Sequence, residues 1–406
     1  MMPHRILSNR LKITWRRLDQ SPRLVQSKNR QLVFAWLLRF IAAFWGLAGL
    51  VFLFLACQLS SVVITPAATA VSNSSPTAAE SGTGIQAAPP QPTMSLPGSS
   101  RSNPTPAGQT AVAGQFAITI LDSLRGDAAW QEIHLANANN QPAPDGWEYL
   151  LLNMRLVNQS DSPDEGYPGL HVTGNGRVVH FSFNSGVVPP APVLDTDLPG
   201  GAESIGWAAY LIHQDEGNLM LVAEDYTNYD TPTTYLAVDE GASIAVDRET
   251  MLSYAPTTLG TDRASPVPFG QTATAEDWQI IVADVVSGAP AWEIVLDANQ
   301  FNDPPAPGMM YVLVKVRARY IGLADGEHAI SDSAFTLLTN SGEELPSPSV
   351  VEPEPELFFD LYAGGEVEGW IVLQAPEEAK NLTLYFNPAY DGSGVNGRYL
   401  SLGQGR

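Results

Sequence analysis

The sequence predicts an all-β fold, two tandem antiparallel β-sandwiches preceded by one N-terminal transmembrane helix and a disordered linker. Three observations carry that prediction. Apolar residues alternate with period two along many short segments, the chain repeats itself at a spacing of 162 residues, and an uncharged apolar run follows a basic leader. With 406 residues, 44% of them hydrophobic, the chain has material for two cores of ordinary size. Its single cysteine, Cys57, excludes an internal disulfide framework, so stability must come from burial.

The elements follow in chain order. Residues 1–39 hold nine Lys and Arg against the single acid Asp19, and Phe40 to Cys57 then runs 18 residues without a charge, continuing to Ile64. A span over residues 40–64 is long enough to cross a bilayer, and the positive-inside bias keeps the basic segment cytoplasmic. An uncleaved helix is the first reading. Phe54-Leu55-Ala56-Cys57 also resembles a lipobox that would lipidate Cys57, although Phe54 replaces the preferred leucine, and cleavage after Ala70 is a third reading. Each of the three places residues 65–406 outside the cytoplasm, in or beyond the cell membrane. Residues 65–103 are rich in Ala, Ser, Thr and Pro with only Glu80 and Arg101 charged, a composition that reads as a disordered stalk.

The repeat opens where Pro104 to Ala111 lies over Pro266 to Ala273, and the ungapped register from 104 to 157 contains 20 identities in 54 positions. Trp130 with Trp292, Asn140 with Asn302, Tyr149 with Tyr311 and Arg155 with Arg317 are among them. After loops of unequal length the match recovers at Gly206-Trp207 over Gly369-Trp370 and at Tyr235-Leu236 over Tyr399-Leu400. The domains expected are 104–247 and 266–406, joined by a short linker, 248–265, that limits interdomain motion.

In Tyr311 to Arg319 the residues Val312, Val314, Val316 and Ala318 share one face, and Lys315, Arg317 and Arg319 share the other. That alternation predicts a half-buried strand, matched in the first copy by Leu150, Leu152, Met154 and Leu156. Further strands are expected at 116–121, 177–183, 204–212, 219–223, 334–338 and 382–386, with no long helical stripe after the anchor. Seven or eight short strands per copy, separated by Gly and Asn turns, indicate sandwiches of immunoglobulin-like kind without the usual disulfide.

The Gly-Gln-Thr entry at 270–272, the strand Tyr311-Val312-Leu313-Val314-Lys315-Val316, Asn340-Ser341-Gly342 and Gly364-Gly365-Glu366-Val367-Glu368-Gly369-Trp370 together resemble a bacterial family of extracellular immunoglobulin-like domains of unknown function. That family is similar to the mycobacterial immunoprotective extracellular antigen. The resemblance covers nearly all of residues 104–406, twice. It implies fold and compartment and carries no catalytic residues. One departure is Arg319-Tyr320-Ile321-Gly322, where the first copy keeps Val157-Asn158-Gln159-Ser160.

Charge excludes some chemistry. From residue 104 onward 11 Lys and Arg face 41 Asp and Glu, so the body repels phosphate backbones and nucleic acid is not an expected partner. No zinc cysteine pair, metalloprotease helix or phosphate-binding loop is present, and Gly392 to Gly397 reads as a turn. A serine nucleophile would need a histidine base, yet none of His134, His171, His180, His213 and His328 recurs between copies, and His4 precedes the membrane span. Ca²⁺ is possible at Asp161, Asp164 and Glu165, at Asp195 and Asp197, or at Glu224 and Asp225, although no calcium-loop spacing supports it; a solvated acidic surface is the plainer reading. Trp130, Trp207, Trp292 and Trp370 read as packing residues, whereas Trp147, replaced by Met309 in the second copy, is the one hint toward a sugar ligand. The expectation is a non-enzymatic envelope interaction module without cofactors, binding an unidentified protein or polymer. A spacer or scaffold without a specific ligand is the alternative.

Overall fold

The computed structural model describes residues 96–162, 165–324, 326–388 and 394–403. The basic segment, the apolar span with Cys57, the linker up to residue 95 and Asp164 lie outside the described residues. Among the described residues no helix is long and apolar enough to cross a membrane.

Repeat 1 runs β1 (Thr110–Ala113), β2 (Phe116–Arg125), α1 (Asp127–Ala136), β3 (Trp147–Asn158), β4 (Glu165–Gly166), β5 (Pro168–Thr173), β6 (His180–Phe181), β7 (Leu198–Pro199), β8 (Glu203–His213), β9 (Met220–Asp225) and β10 (Thr234–Ala237). After the short α2 (Arg248–Ser253), repeat 2 runs β11 (Ala273–Thr274), β12 (Trp278–Ser287), α3 (Ala289–Ala298), β13 (Met309–Tyr320), β14 (His328–Ser331), β15 (Phe335–Leu338), β16 (Glu344–Leu345), β17 (Phe358–Leu361), β18 (Glu366–Pro376), β19 (Thr383–Phe386) and β20 (Arg398–Ser401).

Each repeat has two four-stranded antiparallel sheets and a two-stranded ribbon. In repeat 1 the orders are β1-β2-β3-β8, β10-β9-β5-β6 and β4-β7; in repeat 2 they are β11-β12-β13-β18, β16-β15-β19-β20 and β14-β17. Period-two burial puts Leu150, Leu152, Met154 and Leu156 of β3 against Val172, Leu221 and Leu236 of the facing sheet. Val312, Val314, Val316 and Ala318 of β13 meet Leu337, Leu384 and Leu400 in the same way. The fold is therefore mostly β and sandwich-like. On the opposite face of β13, Lys315, Arg317 and Arg319 pair with Glu366 and Glu368 of β18.

Two departures from the sequence expectation have physical causes. First, each repeat carries a ten-residue helix, α1 or α3, entered through Gly126 or Gly288 at positive φ. Each helix buries two residues four apart, Ala129 with Ile133 and Ala291 with Val295, and covers the second face of its sheet at Tyr149 and Leu151 or at Tyr311 and Leu313. β3 and β13 are thus buried on both faces over that stretch, and a helix this short owes its stability to that packing. Second, the expected stalk ends early, because the chain is folded from Leu96. Gly98 accepts from the Tyr235 amide at 2.9 Å and Thr105 donates to the Tyr235 carbonyl at 2.8 Å, which fixes residues 98–105 along β10. Within the expected linker 248–265, Asp247 caps α2 by accepting from Thr250 N, and Met251 is buried.

Candidate functional site at the seam between the repeats

The same shift of 162 that relates the repeats also relates Gly98 to Gly260 and Arg101 to Arg263, six residues before the recognised opening. Both glycines accept from the equivalent tyrosine amide, Tyr235 N at 2.9 Å and Tyr399 N at 2.7 Å. The two arginines then part company: Arg101 is fully buried, whereas Arg263 is exposed and reaches the Asn340 carbonyl at 3.4 Å.

What buries Arg101 is repeat 2. Its guanidinium lies 3.9 Å from the ring centroid of Tyr362, itself without solvent exposure, which packs in a cluster otherwise built from repeat 1: Val179, Met220, Val222, Tyr235, Ala237 and Ile244. Reciprocally, Val178 of repeat 1 belongs to the core of repeat 2. Backbone hydrogen bonds stitch the same line, Tyr362 N to Arg177 O and Val179 N to Asp360 O, both 2.9 Å. An aromatic residue buried this way contributes several kcal/mol, so the two repeats are bound by more than their linker.

Charge is concentrated in this seam. Outward-facing His171 of β5 is fully buried and its Nε2 meets the Glu327 carboxylate, which also accepts from Tyr362 Oη at 2.7 Å. Burial pushes the Glu327 carboxyl up, but the bonds from His171 and Tyr362 and the charge of Arg101 overcome it and hold the group below its ordinary value. Tyr362 is pushed up, first by burial and then by Glu327. Asp360 is also raised, by burial and by Glu327.

The other histidines make their contacts outside the cluster of Arg101, His171, Glu327 and Tyr362. His180 meets Glu216 at 2.8 Å, both buried, and His213 stacks on Trp147 at 3.8 Å. Burial, and then His180, lower the pKa of His213. His328 stacks on Tyr320 at 3.7 Å, and His134 is exposed beside Trp130. Trp147 is half-buried with one ring face taken by His213, which removes that face from sugar stacking. Of the four repeated tryptophans, Trp130 and Trp292 lie on α1 and α3, and Trp207 and Trp370 of the sheets join the same two clusters.

The described acids of the candidate calcium loops have separate surroundings. Asp161, Asp195 and Asp197 are exposed, and Asp195 accepts from the Asp197 amide in its own loop. Asp225 is buried and committed to Gln115 N and to the Thr227 amide and hydroxyl; Glu224 accepts from Thr233. Among the described residues no group of three or more His, Cys, Asp and Glu is arranged to hold a metal ion.

An exposed tyrosine surface borders the seam's carboxylates. Tyr226 packs over Gly169, with Tyr167 edge-on at 6.2 Å and Tyr229 stacked at 6.1 Å; Tyr167 is 48% and Tyr229 83% exposed. Burial, then Glu224 and Glu327, raise the pKa of Tyr226, so carboxylates border the tyrosines.

No known family matches the chain, and no curated protein does. Two solved structures from Bacillus subtilis are similar in part. The lipoprotein candidate ycdA is 14% identical over 32% of this chain and 37% of its own length, with a TM-score of 0.26. The yjhA protein is 15% identical over 34% of this chain and 98% of its own, with a TM-score of 0.24. This chain thus spans little more than a third of the ycdA protein.

Proposed function

We propose that the chain is a membrane-anchored extracytoplasmic binding module of the bacterial envelope, non-enzymatic, whose two immunoglobulin-like repeats present one fixed surface. The anchor rests on the sequence alone, on the uncharged span 40–64 behind nine basic residues. The observation that favours binding over spacing is the tyrosine cluster Tyr167, Tyr226 and Tyr229. Tyrosine supplies rigid amphipathic contact area at low entropic cost, and a spacer has no need to keep an 83% exposed tyrosine stacked on its neighbour. The reading of each repeat as immunoglobulin-like is supported by its paired antiparallel sheets around one core.

A photo-reactive phenylalanine analogue at Tyr229 in intact cells tests this, with the same analogue at exposed Leu135 as control. Discrete cross-linked species from position 229 alone support the binding module. Equal labelling, or none, from both positions supports the spacer.

A further inference from the structure

The seam is directional. Repeat 1 contributes a face, the outward side of β10-β9-β5-β6 with Arg101 above it, and repeat 2 contributes a ribbon, β14-β17 with Glu327, Asp360 and Tyr362. An interface of unlike halves between equivalent modules is heterologous, and nothing in its symmetry stops it from recurring between chains. The two halves that this seam does not use are the ribbon of repeat 1, β4-β7, and the face of repeat 2, β16-β15-β19-β20.

The register identifies both. Gly201 N bonds Asn158 O as Gly364 N bonds Tyr320 O, and Ala202 N bonds Pro199 O as Gly365 N bonds Tyr362 O. Pro199 therefore occupies the place of Tyr362, Asp197 that of Asp360 and, through the β4-β7 pairing, Glu165 that of Glu327. On the other half, the β9-β10 and β19-β20 pairings set Thr383, Tyr385 and Ser401 where repeat 1 has Met220, Val222 and Ala237. Thr336 stands where repeat 1 has His171.

Both substitutions blunt the interface. Tyr362 supplies a buried ring and the amide that bonds Arg177 O; Pro199 has neither the ring nor the N–H, the standard protection of an exposed strand edge. On the face of repeat 1 Met220, Val222 and Ala237 are apolar and covered, whereas the counterpart in repeat 2 carries the hydroxyls of Thr336, Thr383 and Ser401 and the phenol of Tyr385, all half-buried, as the capping module of an array requires. What survives at the ends is the charge, Arg263 and Asp197, both exposed.

We infer that the seam is self-terminating: the chain is built to close at two modules and to refuse a second copy of itself at both ends. The surviving charges alone do not hold an exposed pair together.

In the seam Val179 N bonds Asp360 O at 2.9 Å, and Glu344 stands where repeat 1 has Val179, so the test uses the full chain in detergent with Cys57→Ser, Asp197→Cys and Glu344→Cys, oxidised mildly and run on a non-reducing gel. Single chains are expected. A ladder of dimers, trimers and higher species, formed in dilute solution, overturns the inference. Two further chains restore one half each, Pro199→Tyr with Asp197→Cys, and Thr336→His, Thr383→Met, Tyr385→Val, Ser401→Ala with Glu344→Cys, both in Cys57→Ser. Mixed, they are expected to give a disulfide-linked heterodimer that a mixture of the two single-cysteine chains without the restoring changes does not give. Absence of that heterodimer from variants that keep the parent melting temperature overturns the inference equally. If either variant fails to fold, the first gel decides.

Discussion

Replacing Tyr362 by alanine removes a ring that repeat 2 inserts into repeat 1. The residue has no solvent exposure, packs on Val179, Met220, Val222 and Tyr235, carries Arg101 on its face and donates to Glu327 at 2.7 Å. Truncating a buried aromatic costs about 3–5 kcal/mol when the cavity cannot collapse, and here Arg101 and Glu327 lose a neighbour as well. Tyr362→Phe keeps the ring and loses only the hydroxyl bond to a carboxylate, a loss of about 1.5–3 kcal/mol. Urea unfolding of residues 96–406, followed by tryptophan fluorescence, measures both. The order expected is wild type, then Phe, then Ala, with the alanine variant unfolding in two steps as the repeats separate. An alanine variant within about 1 kcal/mol of wild type, still unfolding in one step, would show that this ring does not couple the repeats.

Three further outcomes follow from the same structure. Glu352, whose carboxylate accepts from Val372 N at 2.9 Å, is pushed up from 4.5 to about 7 by burial and by Asp332 and Glu356, so between those values the folded state holds the extra proton and stability falls as pH rises. Glu352→Gln copies the neutral form; it is expected to melt like wild type below about pH 4.5 and to be more stable at pH 8 by about 1–3 kcal/mol once solvent screening is counted, and an equal gain at both pH values would contradict this. Asn140 is buried, donates to Ile133 O and Val188 O and accepts from Val188 N. Asn140→Ala should therefore cost about 2–4 kcal/mol in a denaturant titration, and more than the same change at less buried Asn302. Glu327 has its folded value held down, so its contribution is complete above the ordinary carboxylate range and is lost as pH falls through the folded value. A pH series of melts should show that loss, and His171→Ala, which removes one of the groups holding Glu327 down, should flatten it.

The parts of the fold that were legible in the sequence are those both repeats share. Val312, Val314 and Val316 alternate because a sandwich strand has one wall on the core, and Asn140 matches Asn302 because each ties the end of its helix to a loop, Val188 in one case and Val351 in the other. The helices escaped notice because two buried positions four apart, Ala129 with Ile133, are too few to set a period. The seam escaped for a different reason. Looking for recurrence discards whatever differs between copies, and a directional interface consists of such differences: His171 against Thr336, Tyr362 against Pro199. Arg101 did carry a signal, its match to Arg263 at the common shift, but its Ser- and Pro-rich neighbourhood has the composition of a stalk.

Residues 96–403 behave as one body held by the seam, and calorimetry of residues 96–406 measures that cooperativity. A single thermal transition is expected, with calorimetric and van't Hoff enthalpies that agree for the whole two-repeat unit. Two transitions, each with the enthalpy of one repeat, would mean that the seam does not couple the repeats.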